Sequence, residues 1–448
     1  MKADRPAPVP STRLSAPCRY RLKQTWETMA EMDNRANTRL YSPPPRVAIV
    51  HDWLPVYAGA ERVLEQIIQV FPDADLFSLI DLIPAGERAF LAGKQVKTSF
   101  LQRWKWVRER YRSFLPLMPL AIEQFDLSSY DLIISSSYAV AKGVITGPDQ
   151  LHVCYCHSPM RYAWELQHQY LRTANLERGP KSWMARAILH YMRQWDVQCQ
   201  TRVDCFLANS RFVGRRIKKT YGRNASIVYP PVNVEAFALR EEKENYYVTV
   251  SRLVPYKMVG LIVDAFTQMP HLELRVIGDG PEFARIKARA GANVRMLGHQ
   301  TNAVVCEQMQ RAKAFVFAAE EDFGIAPVEA QACGTPVIAY AKGGACESVI
   351  PGETGIFFHE QTPAALQEAI LDFEREGRSF DAVAIRENAL RFSAKYFRDE
   401  FEAKVLDQWA QFIGEVRTDD LSAGPAETPI RWPRPLPVGH EDSHALTL

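Results

Sequence analysis

Residues 247–281 read YVTVSRLVPYKMVGLIVDAFTQMPHLELRVIGDGP. Their pattern predicts a buried strand at 247–252, a helix at 259–269 and a second strand at 272–277. A helix between two strands made of nearly continuous apolar residues is typical of a right-handed βαβ unit. The stretch therefore predicts part of a parallel sheet covered by helices.

The same alternation continues on both sides of this unit. After it, the pattern predicts strands and helices in turn at 282–290, 294–297, 303–312, 314–317, 327–333 and 337–340. Before it, strands are predicted at 46–52, 132–136, 153–156 and 205–209, with helices at 59–71, 181–200 and 211–221. Pro230 and Pro231 separate the two series, because proline cannot donate to a sheet ladder. The chain is predicted to be α/β, with two Rossmann-like domains facing across a cleft.

Composition sets the domain boundaries. Residues 1–44 and 418–448 are rich in proline and polar residues, so both are predicted to be disordered tails. The body between them divides into domains at 45–235 and 236–390, followed by a C-terminal helix at 391–417. Which domain this helix packs against is left open by the pattern.

The overall composition excludes several classes of protein. Of the 448 residues, 54 are Lys or Arg and 52 are Asp or Glu, and this net charge of +2 argues against a nucleic-acid partner. No run approaches the roughly 18 apolar residues of a membrane-spanning helix, and no signal-peptide core is visible near the start. The eight cysteines contain no CxxC pair. We therefore expect a reducing, cytoplasmic location.

Charged residues follow the predicted strands of the second domain, where open α/β sheets bind their ligands. Arg252 and Lys257 lie between a strand and a helix, which suits a diphosphate at a helix N-terminus. Glu321 and Glu329 follow the strand at 314–317. All four could also be ordinary surface charges or a helix-end acid. The loop after the first strand contains a single glycine, Gly59. A nicotinamide or flavin site would need three glycines there, so this loop argues against one.

Three motifs in this order resemble glycosyltransferase family 4. They are Ser-Arg-x-x-x-x-Lys at 251–257, Gly-x-Gly-Pro at 278–281 and Glu-Asp-Phe-Gly-Ile-x-Pro-x-Glu-Ala at 321–330. The resemblance covers roughly residues 46–400. The segment YCHSPMRYAW at 155–164 is similar to a subgroup with bacterial O-antigen and exopolysaccharide mannosyltransferases. The family implies the GT-B fold and a retaining transferase with a nucleotide-sugar donor, and GDP-mannose is our guess from the subgroup.

The resemblance also implies roles for particular residues. The N-terminal domain would take the acceptor and the C-terminal domain the donor. Arg252 and Lys257 would neutralise the donor diphosphate, Glu321 would bind the transferred sugar and Glu329 the ribose. The remaining contacts would come from Gly59 at the diphosphate and from the backbone amides of Phe323, Gly324 and Ile325.

His157 would lie near the reacting carbon, although a histidine after a buried strand is also a common core residue. No carboxylate cluster suited to Mg²⁺ stands out, so we expect no metal requirement and no cofactor besides the donor. Met258, Val259 and Gly260 follow Lys257 and provide no local partner that could orient it.

The predicted acceptor is a glycan or a polyprenyl-diphosphate-linked glycan. Residues 97–120 carry five cations and one acid between Arg103 and Arg112, interleaved with aromatic residues. This composition suits the surface of an anionic membrane, or an amphipathic helix with a solvated basic face. A second basic cluster, at 211–223, is predicted to be a solvated helix face. We therefore hypothesise peripheral binding to the inner face of the plasma membrane.

Three functions are compatible with these residues. The first is transfer of a hexose, guessed to be mannose, to such an acceptor in bacterial surface polysaccharide synthesis. The second is a noncatalytic protein that binds a nucleotide sugar or assists assembly. The third is a two-carboxylate glycoside hydrolase, which would leave Arg252 and Lys257 without a role.

Overall fold

The computed structural model describes residues 45–375 and 380–422, with side chains up to residue 416. The tail predicted at 1–44, and the part of the second tail beyond residue 422, lie outside the described residues. Within them the chain forms two parallel β-sheets, one from each predicted domain.

The first sheet has seven parallel strands in the order β3-β2-β1-β4-β5-β6-β7. They are β1 Val47–His51, β2 Asp75–Ser78, β3 Val96–Thr98, β4 Leu132–Ser137, β5 Leu151–Cys156, β6 Cys205–Ala208 and β7 Ser226–Ile227. The direction of winding reverses between β1 and β4, which pair with His51 opposite Ser136. Such a reversal opens a crevice at the carboxyl ends of the strands.

The second sheet repeats this design with six parallel strands in the order β10-β9-β8-β11-β12-β13. They are β8 Tyr246–Val250, β9 Glu273–Ile277, β10 Val294–Gly298, β11 Ala314–Phe317, β12 Val337–Tyr340 and β13 Gly355–Phe358. Its reversal lies between β8 and β11, so the loops after these strands should carry the ligand-binding residues.

Helices cover the faces of both sheets. Those of the first domain are α1 Gly59–Val70, α2 Val107–Arg110, α3 Met118–Glu123, α4 Gln167–Thr173, α5 Pro180–Cys199 and α6 Arg211–Tyr221. Those that follow are α7 Val259–Thr267, α8 Phe283–Lys287, α9 Asn302–Arg311, α10 Ile325–Ala332, α11 Ala345–Ser348, α12 Pro363–Arg375, α13 Ala382–Leu390 and α14 Ala394–Ser422. Buried apolar clusters lie between the helices and the sheets, which is where burial stabilises this class of fold.

Several details differ from the sequence predictions. Residues 97–120 form short 3₁₀ and α turns rather than one amphipathic helix. The long C-terminal helix is interrupted at residues 391–393, where the Val232 amide of the connector donates to the Phe392 carbonyl at 2.8 Å. Helix α14 also continues to Ser422, so the disorder predicted from residue 418 is wrong for residues 418–422.

The C-terminal helix α14 packs against the first domain. Phe397, Phe401 and Val405 belong to the same buried cluster as Leu64 of α1 and Tyr155 of β5. The Phe397 ring centroid lies 5.7 Å from that of Tyr155. The chain therefore passes from the first domain to the second and back again.

Candidate active site

A cleft of about 1050 Å³ lies at the carboxyl ends of the strands and is lined by both domains. The second domain contributes the loop after β8 with Arg252, the turn after β9 with Asp279, and Glu329 of α10. The first domain contributes Tyr57 and Arg62 from α1 and the loop before it. The volume of this cleft is close to the upper end of the range for small-molecule sites. Of the predicted donor residues, this cleft brings Arg252 and Glu329 together.

Lys257 and Glu321 meet directly. The Lys257 Nζ donates a hydrogen bond to Glu321 Oε1, and each side chain is only 19% exposed. Lys257 ends a 3₁₀ turn, and Met258 after it adopts a left-handed conformation with φ of 56°. The orienting partner that is missing from the local sequence of Lys257 is therefore supplied by Glu321, 64 residues further along the chain.

Two glycines, Gly324 and Gly344, shape the loop that carries Glu321. The Gly344 amide donates to the Glu321 carbonyl at 2.8 Å, and a Cβ at Gly344 would lie 2.2 Å from the Phe323 Cα. The Phe323 side chain is buried, with its ring centroid 5.3 Å from that of Phe392. Gly324, with φ of 87°, precedes α10. The Phe323 side chain thus anchors the loop, whose backbone continues into the α10 N-terminus.

Glu329 makes an ion pair across the cleft. Arg62 Nη1 of the first domain donates to Glu329 Oε1 at 3.1 Å. Burial raises the pKa of Glu329, and Arg62 partly opposes this rise. Because α10 begins at Ile325 rather than at residue 327, where the sequence predicted the helix to start, Glu329 lies in its second turn. The sequence analysis did not identify Arg62. What could have pointed to it is its position in α1, one helical turn after the predicted site residue Gly59.

A second cross-domain contact involves Asp322, next to Glu321 in the loop after β11. Arg216 of α6 donates to Asp322 Oδ1, and Arg161 Nη1 lies 3.4 Å from Asp322 Oδ2. Arg216 is only 15% exposed at its side chain. The prediction that 211–223 forms a solvated basic face is therefore wrong for Arg216, although Lys218 and Arg215 are exposed.

A third contact joins the N-terminus of α6 to the second domain. The amides of Arg211 and Phe212 donate to the Glu347 carboxylate at 2.8 and 2.9 Å. A carboxylate at a helix N-terminus is stabilised by the free amides and the helix dipole. At all three contacts, the first domain supplies the donors and the second domain supplies the acid.

His157 follows β5 on the first-domain side. Its Nε2 lies 2.9 Å from Ser136 Oγ, and its ring contacts those of Tyr138 and Tyr155. Burial, with a smaller contribution from His51, lowers the pKa of His157 to about 3. The imidazole is therefore neutral near pH 7.

Gly59 begins α1 beside the first residue of α10. A Cβ added there would lie 3.7 Å from Ile325 Cδ1, which is ordinary van der Waals contact. The predicted residues Gly59 and Ile325 are therefore neighbours across the two domains.

Two features are absent from the described residues. No group of three or more histidine, cysteine, aspartate or glutamate side chains there could hold a metal ion. No helix within 45–375 and 380–422 has the length and apolar character needed to cross a membrane.

Both halves of the chain match known families. Residues 233–391 match "Glycosyl transferases group 1" and residues 57–236 match "Glycosyltransferase Family 4". The chain belongs to the group 1 glycosyltransferases. The two matches overlap at residues 233–236. In this glycosyltransferase each match therefore covers most of the part of the chain that forms one of the two sheets.

Two curated proteins and one solved structure illustrate the likeness. An uncharacterized glycosyltransferase of Methanocaldococcus jannaschii is 29% identical over 203 residues, which are 44% of this chain and 56% of that protein. A GDP-mannose-dependent alpha-(1-6)-phosphatidylinositol monomannoside mannosyltransferase of Mycolicibacterium smegmatis is 27% identical over 208 residues, 39% of this chain and 54% of that protein. The matches therefore span about half the length of these curated relatives.

Anabaena HepE, solved in complex with UDP and glucose, is 18% identical and covers 81% of this chain and 100% of its own, with a TM-score of 0.58. At this identity the likeness concerns the fold. The group 1 glycosyltransferase described here has the GT-B fold that its motifs implied, with two Rossmann-like domains and parallel sheets facing across a cleft.

Proposed function

We propose that this protein is a retaining hexosyltransferase that moves a sugar from a nucleoside-diphosphate donor to a glycan or a polyprenyl-diphosphate-linked glycan. Two observations carry the proposal: Lys257 contacts Glu321 at the carboxyl ends of β8 and β11, and Arg252 and Glu329 line the cleft between the domains. A cation for the diphosphate and an acid for the sugar then lie next to each other. Two basic side chains and a helix N-terminus are a suitable anion site.

In this proposal the protein acts mainly by positioning charge. As the bond between sugar and diphosphate breaks, negative charge grows on the leaving oxygen. Arg252 and Lys257 stabilise that charge, and because they are already held in place, little reorganisation is needed. Glu321 accepts hydrogen bonds from the sugar hydroxyls, and Glu329 accepts them from the ribose. The chain's own cations supply the neutralisation, so we expect transfer to persist in EDTA.

The identity of the donor is a separate part of the proposal. Mannose from GDP-mannose is supported by the segment at 155–164 and by the mycobacterial relative, whose name specifies GDP-mannose. The Anabaena structure contains UDP, so UDP-glucose is the main competing donor. A screen of both donors on the purified protein, with lipid-extracted acceptor, should give nucleoside diphosphate release and a product heavier by one hexose.

Variants at the central pair test the chemistry. Glu321→Ala and Lys257→Ala should each remove most transfer activity while leaving the thermal unfolding transition in place. Glu320 and Lys342 form a neighbouring ion pair at 2.9 Å, so Glu320→Ala and Lys342→Ala are matched controls with near-normal rates expected. Normal rates in the first two variants would contradict the assignment.

The same experiments separate the alternative functions. Release of free sugar from a glycan without any nucleotide would identify a glycoside hydrolase. Tight donor binding with no turnover on any acceptor would identify a noncatalytic binding protein.

We also propose that the segment at 103–112 binds an anionic membrane surface on the cytoplasmic side, within bacterial surface polysaccharide synthesis. Trp106 is 75% exposed and Trp104 is 43% exposed, and Lys105, Arg108 and Arg110 beside them are also exposed. Tryptophan and basic side chains together suit a membrane interface. In liposome flotation, Trp106→Ala should weaken binding to anionic vesicles. Trp183→Ala removes an equally exposed tryptophan from α5 and is the control. Equal, negligible binding of the wild type to neutral and anionic vesicles would exclude this proposal.

A further inference from the structure

A chain of buried polar side chains leads from the α1 N-terminus to His157. His51, the last residue of β1, and Ser136 of β4 are 0% exposed, and Glu61 of α1 is 3% exposed. Strand β4 lies between β1 and β5, so residues at the ends of these three strands are neighbours. Polar groups buried this deeply are costly unless they bond to one another.

Ser136 joins two histidine rings. Its Oγ lies 3.1 Å from His51 Nδ1 and 2.9 Å from His157 Nε2. A hydroxyl carries one hydrogen, so it can donate to only one of these nitrogens. When the hydroxyl donates to one of them, the other nitrogen must carry a proton and donate to the Ser136 oxygen. The two tautomers are therefore linked, and the direction of one bond fixes the other.

Glu61 determines which direction is favoured. Its Oε1 lies 3.7 Å from His51 Nε2, and its Oε2 accepts a bond from the Ala58 amide at 3.0 Å. This separation is longer than a hydrogen bond, and His51 Nε2 is a buried atom with no hydrogen-bond partner among the described residues. The negative charge of the nearby carboxylate nevertheless favours the proton of His51 on Nε2. The His51 Nδ1 then has a lone pair and accepts from the Ser136 hydroxyl. Ser136 in turn accepts from the Nε2–H of His157.

This order leaves His157 Nδ1 without a proton. His157 as a residue is only partly buried, and its Nδ1 is not among the buried side-chain atoms of the described residues that lack a partner. We therefore infer that the Nδ1 edge of the ring is the open one. The lowered pKa of His157 keeps the imidazole neutral at physiological pH, so the tautomer is what decides its hydrogen bonding.

We propose that Glu61, His51 and Ser136 are positioning residues that hold His157 with Nε2 protonated, so that Nδ1 accepts a hydrogen bond from a hydroxyl of the bound sugar. This inference rests on the proposed transferase function for its substrate, but its statement about the ring does not. A sugar that lacks the contacted hydroxyl would leave Nδ1 unpaired and would be a poorer substrate.

Nitrogen NMR of the full-length protein labelled with ¹⁵N-histidine tests the proposal directly. The two ring nitrogens differ in chemical shift according to which carries the proton, and His157→Gln identifies the His157 signals. We expect Nε2–H and a bare Nδ1 in the wild type. A wild-type spectrum with the proton on Nδ1 would overturn the proposal without any variant being needed.

Two serine variants provide the matched comparison. Ser136→Ala leaves the Nε2–H of His157 buried without an acceptor, so the proton should move to the open Nδ1. Ser135→Ala removes the neighbouring buried hydroxyl, which bonds to His152 Nε2 at 2.7 Å, and should change only the His152 signals. An unchanged His157 spectrum in Ser136→Ala would refute the role of the chain. Glu61→Gln, which keeps the side-chain volume, should weaken the preference in the same direction.

Kinetics provide the second measurement. Ser136→Ala should lower kcat by about tenfold while the donor KM changes less, because the ring remains in place and loses only an acceptor. If the NMR result is as expected but no sugar is transferred by the wild type, the transferase proposal fails and the tautomer assignment stands. If transfer occurs and kcat is equal in Ser136→Ala and Ser135→Ala, the positioning role fails and the transferase proposal stands.

Discussion

Replacing Arg216 with methionine should weaken closure of the cleft by a predictable amount. Its bond to Asp322 joins the two domains, and the side chains are only 15% and 16% exposed. A hydrogen bond between charged groups typically contributes about 1.5–3 kcal/mol. Arg161 remains 3.4 Å from the other oxygen of Asp322, so we expect the lower value, about 1.5 kcal/mol. This corresponds to about a tenfold shift toward the open cleft.

Hydrogen exchange measures this shift directly. The amides of Arg211 and Phe212 donate to Glu347 of the other domain, so opening of the cleft exposes them to solvent. Arg216→Met should raise their exchange rates about tenfold. The Val213 amide donates to Ser210 Oγ within the first domain and should change little.

A neighbouring arginine provides the matched control. Arg215 of the same helix is exposed and contacts the Phe212 ring, and Arg215→Met should leave all these rates near those of the wild type. Equal exchange at Arg211 and Phe212 in the two variants would refute the view that Arg216 holds the domains together.

Two further predictions concern single side chains. Gly344→Ala should displace the loop that carries Glu321 and Phe323, because the new Cβ would meet the Phe323 Cα. We expect the free energy of unfolding to fall by about 1–3 kcal/mol and most transfer activity to be lost. Gly86→Ala, with no atom within 4 Å of its new Cβ, is the control for both measurements. Burial lowers the pKa of His152 from 6.5 to about 4, so the unfolded state binds more protons in this range and stability falls as the pH drops through it. In denaturant titrations, His152→Gln should lose about 2 kcal/mol less than the wild type between pH 7 and pH 5, and an identical loss would contradict this assignment.

The central strands and most of the longer helices could be predicted because their apolar pattern is local. Strands β1, β4, β8 and β11 are short and buried; the bounds predicted for β11 match those observed, and those of the other three differ by at most two residues at either end. The strand-end rule also selected the loops that carry Arg252 and Glu321, because the carboxyl ends of parallel strands share one edge of a sheet.

The edge strands and the cross-domain contacts could not be predicted. Strands β3 and β7 have three and two residues, too few to show a period. Arg62, Asp322 and Glu347 obtain their partners only when the two domains face each other, between 106 and 267 residues apart in sequence. No spacing rule predicts that arrangement. In the sequence these residues therefore could not be distinguished from ordinary charged residues of the protein surface.

The return of α14 to the first domain affects the order in which the chain can assemble during translation. The second sheet and its helices lie within residues 246–390, so the two main buried clusters of that sheet are complete once this segment leaves the ribosome, and only Phe392 of the domain's third cluster is still to come. The buried cluster of the first domain remains incomplete until Phe397, Phe401 and Val405 are synthesised, near the end of translation. Until then a strip of apolar surface on α1 stays open to water, and a nascent chain paused before residue 394 would be a natural substrate for chaperones.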